Sequence, residues 1–384
     1  VEMVNRIEAE EQGALDVLLN DIRSRRREIE TRRRVPIDIV EGLRAAGIYR
    51  AAVPKSLGGD GAPLADVLRL IERISEADPS VGWVASFAPQ GANYFGALSR
   101  RRLEEIYANG PDVVGAGGLF PLQPAARVNG KLQINGRWKF GSGSTGADWI
   151  SVGIVIPDGG SEPPPPRLIV LPASQVEIVE NWDVVGLSGT GSHDLIVKDV
   201  MVDEDWSFIR GGPVLLDEPI CHFPAMALAA LSFAVVGLGA ARASLDAICE
   251  LAAGKMSITG APRLGDRAYA QTGIAKAEVQ LQGARALLYD QVERAWAQVA
   301  AGDAVPVEGR AMLRLAANHA SRAAVDVAET CFGLAGTTAI FLDNPMQGFL
   351  RDALVVNQHA FLGEGHYESA GRVLLGMTPA PGFP

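Results

Sequence analysis

The stretch Trp138-Lys139-Phe140-Gly141-Ser142-Gly143-Ser144 combines residue types that could seat a flat, hydrogen-bonding ligand. Trp138 and Phe140 alternate along a strand, and the Gly-Ser-Gly-Ser run ends it in a loop nearly free of side-chain bulk. Such a loop exposes backbone N–H groups and a hydroxyl beside two aromatic rings. The plain alternative for Ser142 is a turn serine that satisfies its own backbone, and Ser144 competes for any ligand role. His359 is the second candidate. An imidazole titrates at about 6.5, so it exchanges a proton near neutral pH and could take one from a phenolic group. A purely structural histidine is the alternative there. His193 sits in the Thr190–His193 loop and reads as a cap, while His222, His319 and His366 have no partner at metal-ligand spacing. No metal site is expected.

The elements that must position these residues follow from periodicity. Residues 1–110 read as helices: Leu64, Val67, Leu68, Ile71 and Ile74 recur on one helix face, Asp78-Pro79 ends that helix, and Ser80 opens another carrying Trp83, Phe87, Tyr94 and Phe95. Residues 111–215 change to period two. Asn129-Gly130 is a two-residue hairpin signal between 126–128 and 131–134, and further strands are expected at 149–156, 168–171, 176–179 and 195–202. The prolines 163–166 read as a stiff exposed connection. Residues 216–376 return to helices, at 223–253, 266–301, 306–335 and 345–376, with breaks at 260–265 and 302–306. Residues 377–384 are a Pro/Gly-rich tail expected to be loosely held.

Composition bounds the function. The chain has 384 residues and a formal net charge of −10, which argues against nucleic acid or an anionic membrane as partner. Seven arginines fall between Arg23 and Arg34, but Glu28 and Glu30 interleave them, so a solvated or subunit-contacting face is expected. Three widely spaced cysteines fit a reducing cytoplasm. The opening residues are Glu-rich without an apolar core, so no secretory signal is expected. The apolar run 223–241 approaches the length of a membrane span; its alanines, glycines and single Ser232 favour a buried bundle helix.

Three motifs, in order, resemble a known family. Gly136–Gly143 followed by Ala147-Asp148-Trp149 is similar to the flavin-side strand of the acyl-CoA dehydrogenase fold, in the version found in two-component flavin-dependent monooxygenases. Gly186–Asp194 resembles that family's second β-domain motif, and Arg351-Asp352 with Gln358-His359 resembles its C-terminal signature. The resemblance implies an α+β fold with an N-terminal helical domain, a middle β-barrel or sheet domain and a C-terminal four-helix bundle, assembled as a cytoplasmic homotetramer. It further implies an oxygenase component that uses reduced FMN, with FADH2 as the alternative, and O2 through a C4a-hydroperoxyflavin to hydroxylate a small aromatic or heteroaromatic substrate. A separate NAD(P)H:flavin reductase would be its partner. On the family pattern Ser142 would serve flavin N5, and His359 would act on the substrate or the distal peroxide. Trp83, Trp138, Phe140, Gly141, Arg263, Gly333 and Gly336 would contact the cofactor. Gln90, Asn93 and Phe361 would line the substrate; Gln90 and Asn93 stand where many hydroxylating relatives have a histidine, and they cannot do its proton work.

The alternative is an FAD-dependent acyl-CoA dehydrogenase. Against it, the glutamate expected after the Arg-Asp pair is replaced by Asn357–Phe361, with Glu364 displaced further on, and Gly115–Leu122 lacks the dehydrogenase loop pattern. A flavin-free helical assembly keeping only the fold is the third reading.

Overall fold

The computed structural model describes residues 2–157, 165–254 and 262–380, with side chains from residue 13 onward. The proline run, the 260–265 break and the tail lie partly outside these residues. Seven helices open the chain: α1 (Glu2–Ser24), α2 (Arg26–Arg32), α3 (Ile37–Ala45), α4 (Leu64–Ala77), α5 (Pro79–Ala85), α6 (Phe87–Phe95) and α7 (Arg100–Ile106). The predicted stripe of α4 is the buried one, with Leu64, Leu68, Ile71 and Ile74 at 0 % exposure. Asp78 rather than Ser80 starts the next helix. Its extended backbone stops α4 while its carboxylate accepts the Val81 N–H at 3.0 Å, and Pro79 occupies the first turn where a missing N–H costs nothing. The expected single helix over 80–95 breaks at Ser86, whose hydroxyl donates to the Trp83 carbonyl.

Eight strands follow: β1 (Gly115–Pro124), β2 (Ala126–Val128), β3 (Lys131–Gly141), β4 (Trp149–Val155), β5 (Arg167–Pro172), β6 (Glu177–Val179), β7 (His193–Val202) and β8 (Ser207–Phe208). They form two four-stranded sheets, β1-β4-β5-β8 and β2-β3-β7-β6, antiparallel except for the β1–β4 pair. The hairpin is as read: Val128 pairs with Lys131 across Asn129 and Gly130, both at positive φ. β1 was not among the expected strands. Its glycines are needed because a methyl at Gly117 would meet the Ser151 carbonyl at 2.4 Å and one at Gly118 the Lys139 carbonyl at 2.7 Å.

The remaining helices are α8 (Pro219–His222), α9 (Ala225–Ala253), α10 (Ala268–Ala300), α11 (Val307–Ala335), α12 (Met346–Asn357) and α13 (Gly365–Leu374). α9 is apolar and long enough to cross a membrane by composition, yet 83 % of its most apolar window is buried among α4, α11 and α12. The expected continuous helix 345–376 is broken. After Asn357 the chain forms a short 3₁₀ turn, Ala360–Leu362, which His359 caps by accepting the Phe361 N–H on Nδ1 at 3.2 Å. α11 holds this break: Asn318 donates to the Gly363 carbonyl and Ser321 to the Asn357 side chain, each at 3.1 Å.

Candidate active site

The three sequence motifs converge. Ser142 and Ser192 hydroxyls lie 2.6 Å apart, and the Gly143 N–H donates to the Thr190 carbonyl at 2.9 Å, so the first motif is bound to the second. Asp352 accepts the Leu187 N–H at 2.6 Å and Arg351 donates to the Val185 carbonyl, which joins the second motif to the third. Gly186 must lack a side chain, since a methyl there would meet the Arg351 carbonyl at 2.4 Å. A methyl at Gly143 would touch Val84 at 3.1 Å, placing the hydroxyl loop one residue from Trp83 on α5.

Hydrogen-bond bookkeeping fixes the direction of this loop's hydroxyls. Thr190 Oγ1 donates to the Leu187 carbonyl at 2.8 Å, so it can only accept from Ser192, 2.7 Å away. Ser192 has then spent its proton and must accept from Ser142. Ser142 is left with acceptor capacity alone for any ligand. Nearby Ser144 Oγ is buried without a partner among the described residues, an unusual cost for a hydroxyl.

Beyond Trp83 lies a box of rings from three parts of the chain. Trp83 stacks on Phe233 of α9, with centroids 4.3 Å apart and planes 10° from parallel. His359 stands 4.4 Å from Phe233, 5.6 Å from Trp83 and 4.9 Å from Phe361; Phe87 closes on Phe233 at 5.9 Å. Because Nδ1 of His359 accepts the Phe361 N–H, the ring proton resides on Nε2. Burial, then the charges of Arg210 and Arg314, push the imidazole down to about 4. The expectation of a base titrating near neutrality is therefore corrected: at pH 7 His359 is a neutral Nε2–H donor and a weak proton acceptor.

Sequence reasoning missed Phe233, Arg210 and Arg314. Phe233 is the one aromatic residue within 225–241, which is the signal that could have found it. The Arg210 guanidinium carbon lies 5.1 Å from the Phe361 ring centroid and 6.0 Å from that of Tyr94. Arg314, 1 % exposed, lies 5.8 Å from the Phe361 ring and donates to the Met226 carbonyl at 2.8 Å.

Other expected site residues fare differently. Trp138 is corrected: it is fully buried between the sheets, its indole N–H on the Gly153 carbonyl at 2.7 Å, with no face for a cofactor. Phe140 is 61 % exposed beside Trp182, and Gly141 is buried against Leu195 and the His193 carbonyl. Asn93 is corrected as a substrate donor, since both amide protons go to the carbonyls of Ile220 and Phe223. Gln90 is buried and bonded within its own helix to Ser86 and Tyr94. Arg263 pairs with Asp266 on the surface, and Gly333 and Gly336 are exposed at the end of α11, away from the hydroxyl loop's bonding network. His193 is the structural cap expected, accepting the N–H groups of Asn181 and Trp182 at 3.1 Å each. Glu364 is on the surface, paired with Arg322 at 2.8 Å. A cavity of about 820 Å³ opens at the N-terminal end of α5, lined by Arg23, Arg26, Arg27, Asp78 and Asp352; it does not include the aromatic box. Among the described residues no group of His, Cys, Asp or Glu is arranged to hold a metal ion.

The chain is similar in sequence and in fold to known proteins. Residues 10–97 match the model of the acyl-CoA dehydrogenase N-terminal domain, and residues 231–364 that of the C-terminal domain. The chain is 48 % identical to an indole-3-acetate monooxygenase of Pseudomonas putida, over 96 % of this chain and 95 % of that protein. It is 27 % identical to an FADH2-dependent resorcinol hydroxylase, oxygenase component, of a Rhizobium species, covering 93 % and 92 %. Among solved structures, the 3-HSA hydroxylase of Rhodococcus sp. RHA1 superposes with a TM-score of 0.89 at 27 % identity, over 97 % of this chain and 98 % of that one. The chain belongs to the acyl-CoA dehydrogenase family, in its branch of flavin-dependent monooxygenases that form the oxygenase component of two-component systems.

Proposed function

We propose that the aromatic box around His359 binds an indole-type substrate, and that the hydroxyl loop at Ser142 holds the reacting edge of a reduced flavin. The observation that carries this reading is His359 enclosed by Trp83, Phe233 and Phe361, with Nδ1 occupied by the Phe361 N–H and Glu364 turned outward in an ion pair. A dehydrogenase needs a carboxylate base at the substrate; this box offers an N–H donor among rings. The Pseudomonas relative named for indole-3-acetate makes that compound, or a close analogue, the substrate of first choice.

The residues fit a reduced flavin. Ser142 can only accept, which suits the N–H that reduction places at N5. Ser144 has an unsatisfied buried hydroxyl beside it, and Phe140 presents an exposed ring from a backbone at φ 61°. When bound, the reduced flavin supplies the electrons that activate O2. The protein's share is positioning and dryness: Trp83 and Phe233 exclude water from the reacting edge, and His359 Nε2–H hydrogen-bonds an oxygen atom in the box. Arg263, Gly333 and Gly336, exposed in one chain, suit contacts to the flavin phosphate in a homotetramer. A separate NAD(P)H:flavin reductase would deliver the cofactor in the cytoplasm, as FMN or, following the Rhizobium relative's name, FAD.

Anaerobic titration with reduced and oxidised FMN and FAD tests this reading. Tighter binding of a reduced flavin than of its oxidised form, followed by loss of indole-3-acetate on aeration, supports it. Tight binding of oxidised FAD with reduction by an acyl thioester overturns it.

A further inference from the structure

We propose that Arg210 is the anion anchor of this site, holding the carboxylate of an aromatic acid whose ring lies among Trp83, Phe233, His359 and Phe361. The inference rests on the function proposed above and names the residue that selects its substrate class. Arg210 follows β8 in a loop, and its guanidinium approaches the rings of both Phe361 and Tyr94. No ion pair joins it to a carboxylate among the described residues. Arg102 and Arg285, by contrast, are neutralised, the first by Glu105, Asp203 and Asp205 and the second by Glu72, whereas part-buried Arg26 and Arg167 bond to backbone carbonyls and a serine.

The local field is positive in a protein of net charge −10. Arg314 stands on the same Phe361 ring, and the two guanidiniums repel. Burial and then the Arg210 charge bring Arg314 down to about 10, and both arginines oppose protonation of His359. A cavity of about 250 Å³ adjoins the loop, bounded by Ile209, Gly211, Tyr94 and Phe223. Arg310 is in its wall, and no Asp or Glu is. Arg210 and the rings of the aromatic box are not in that wall; an anion placed beside Arg210, between the cavity and Phe361, relieves the repulsion and meets a guanidinium fork shaped for two carboxylate oxygens. The substrate class is thus a fused or single aromatic ring joined by a short spacer to a carboxylate. Neutral phenols and thiophenes would leave Arg210 unused.

The test compares indole-3-acetate with its neutral isostere indole-3-acetamide, by tryptophan-fluorescence or calorimetric titration of the full-length protein. The wild type is expected to prefer the acetate by about 10- to 100-fold. In Arg210→Gln this ratio collapses toward one, and in Arg210→Lys it is intermediate, because charge remains while the fork is lost. Equal affinities in the wild type, or a ratio that survives Arg210→Gln in a folded variant, would overturn the anchor. Should Arg210→Gln fail to fold, the wild-type ratio and Arg210→Lys still decide. Reduced-flavin oxygenation of neutral indole, assayed in parallel, separates the readings. If indole is oxygenated while acetate and acetamide bind alike, the anchor fails and the oxygenase stands. If acetate discrimination is seen with no oxygenation of either ring, the proposed function fails instead.

Discussion

Nδ1 of His359 accepts the backbone N–H of Phe361 at 3.2 Å, so one hydrogen bond both caps the 3₁₀ turn that follows α12 and sets the tautomer of the ring in the aromatic box. The consequence is a histidine that donates from Nε2 and resists protonation. Its pKa is held down at about 4 against 6.5 in the unfolded chain. The unfolded state therefore binds the extra proton first, and stability rises with pH across this window.

That sign gives a first prediction. Stability of the wild type should fall relative to His359→Gln as pH drops from about 6.5 to 4, by at most about 3 kcal/mol, and the difference should level off below. Urea melts of both proteins across pH 4–7 check it. A difference independent of pH would mean His359 is not held neutral.

The serine relay makes a second prediction. Thr190→Val removes the proton that Thr190 gives to Leu187 and the acceptor that fixes Ser192, so Ser142 is freed to donate. The preference for reduced over oxidised flavin should fall about 10-fold, the worth of one hydrogen bond of about 1–1.5 kcal/mol. Equilibrium titration with each redox form reads the ratio directly; an unchanged ratio contradicts the relay.

The stack of Trp83 on Phe233 is predicted to matter to both fold and site. Trp83→Ala should cost about 3–5 kcal/mol of stability, as large aromatic-to-alanine core changes do. Trp83→Phe should recover most of it. Thermal melts check the stability, and hydrogen peroxide released per flavin oxidised checks whether water has entered the box.

Glu364→Gln should leave hydroxylation within about twofold of wild type, since it breaks a surface ion pair worth at most about 1 kcal/mol. A dehydrogenase base lost to glutamine would abolish turnover. Steady-state assay with a flavin reductase and NADH distinguishes the two.

Local features were legible in the sequence and long-range ones were not. The Asn129-Gly130 hairpin, the apolar stripe of α4 and the Ser142 loop each depend on neighbours within a few residues, and all are found where periodicity and turn chemistry put them. Trp138 and Phe140 lie on one face by period two, yet one is fully buried and the other 61 % exposed. The positive φ at Phe140 and the register shift between Trp138 and Gly141 turn the strand between them, and alternation cannot foresee that. The break at His359 was hidden because the apolar pattern runs across it, while the bonds that hold it come from α11. Phe233, Arg210 and Arg314 join the site only through packing of α9, the β8 loop and α11, so no spacing rule links them to Trp83.

The most direct test of the central claim supplies the purified chain with chemically reduced FMN or FAD, indole-3-acetate and ¹⁸O2, with no reductase present. One ¹⁸O atom in each molecule of hydroxylated product, at a yield that tracks the reduced flavin added, is the predicted result. Product-free oxidation of the flavin to hydrogen peroxide with every aromatic acid tried, alongside reduction of bound FAD by an acyl thioester, would contradict it.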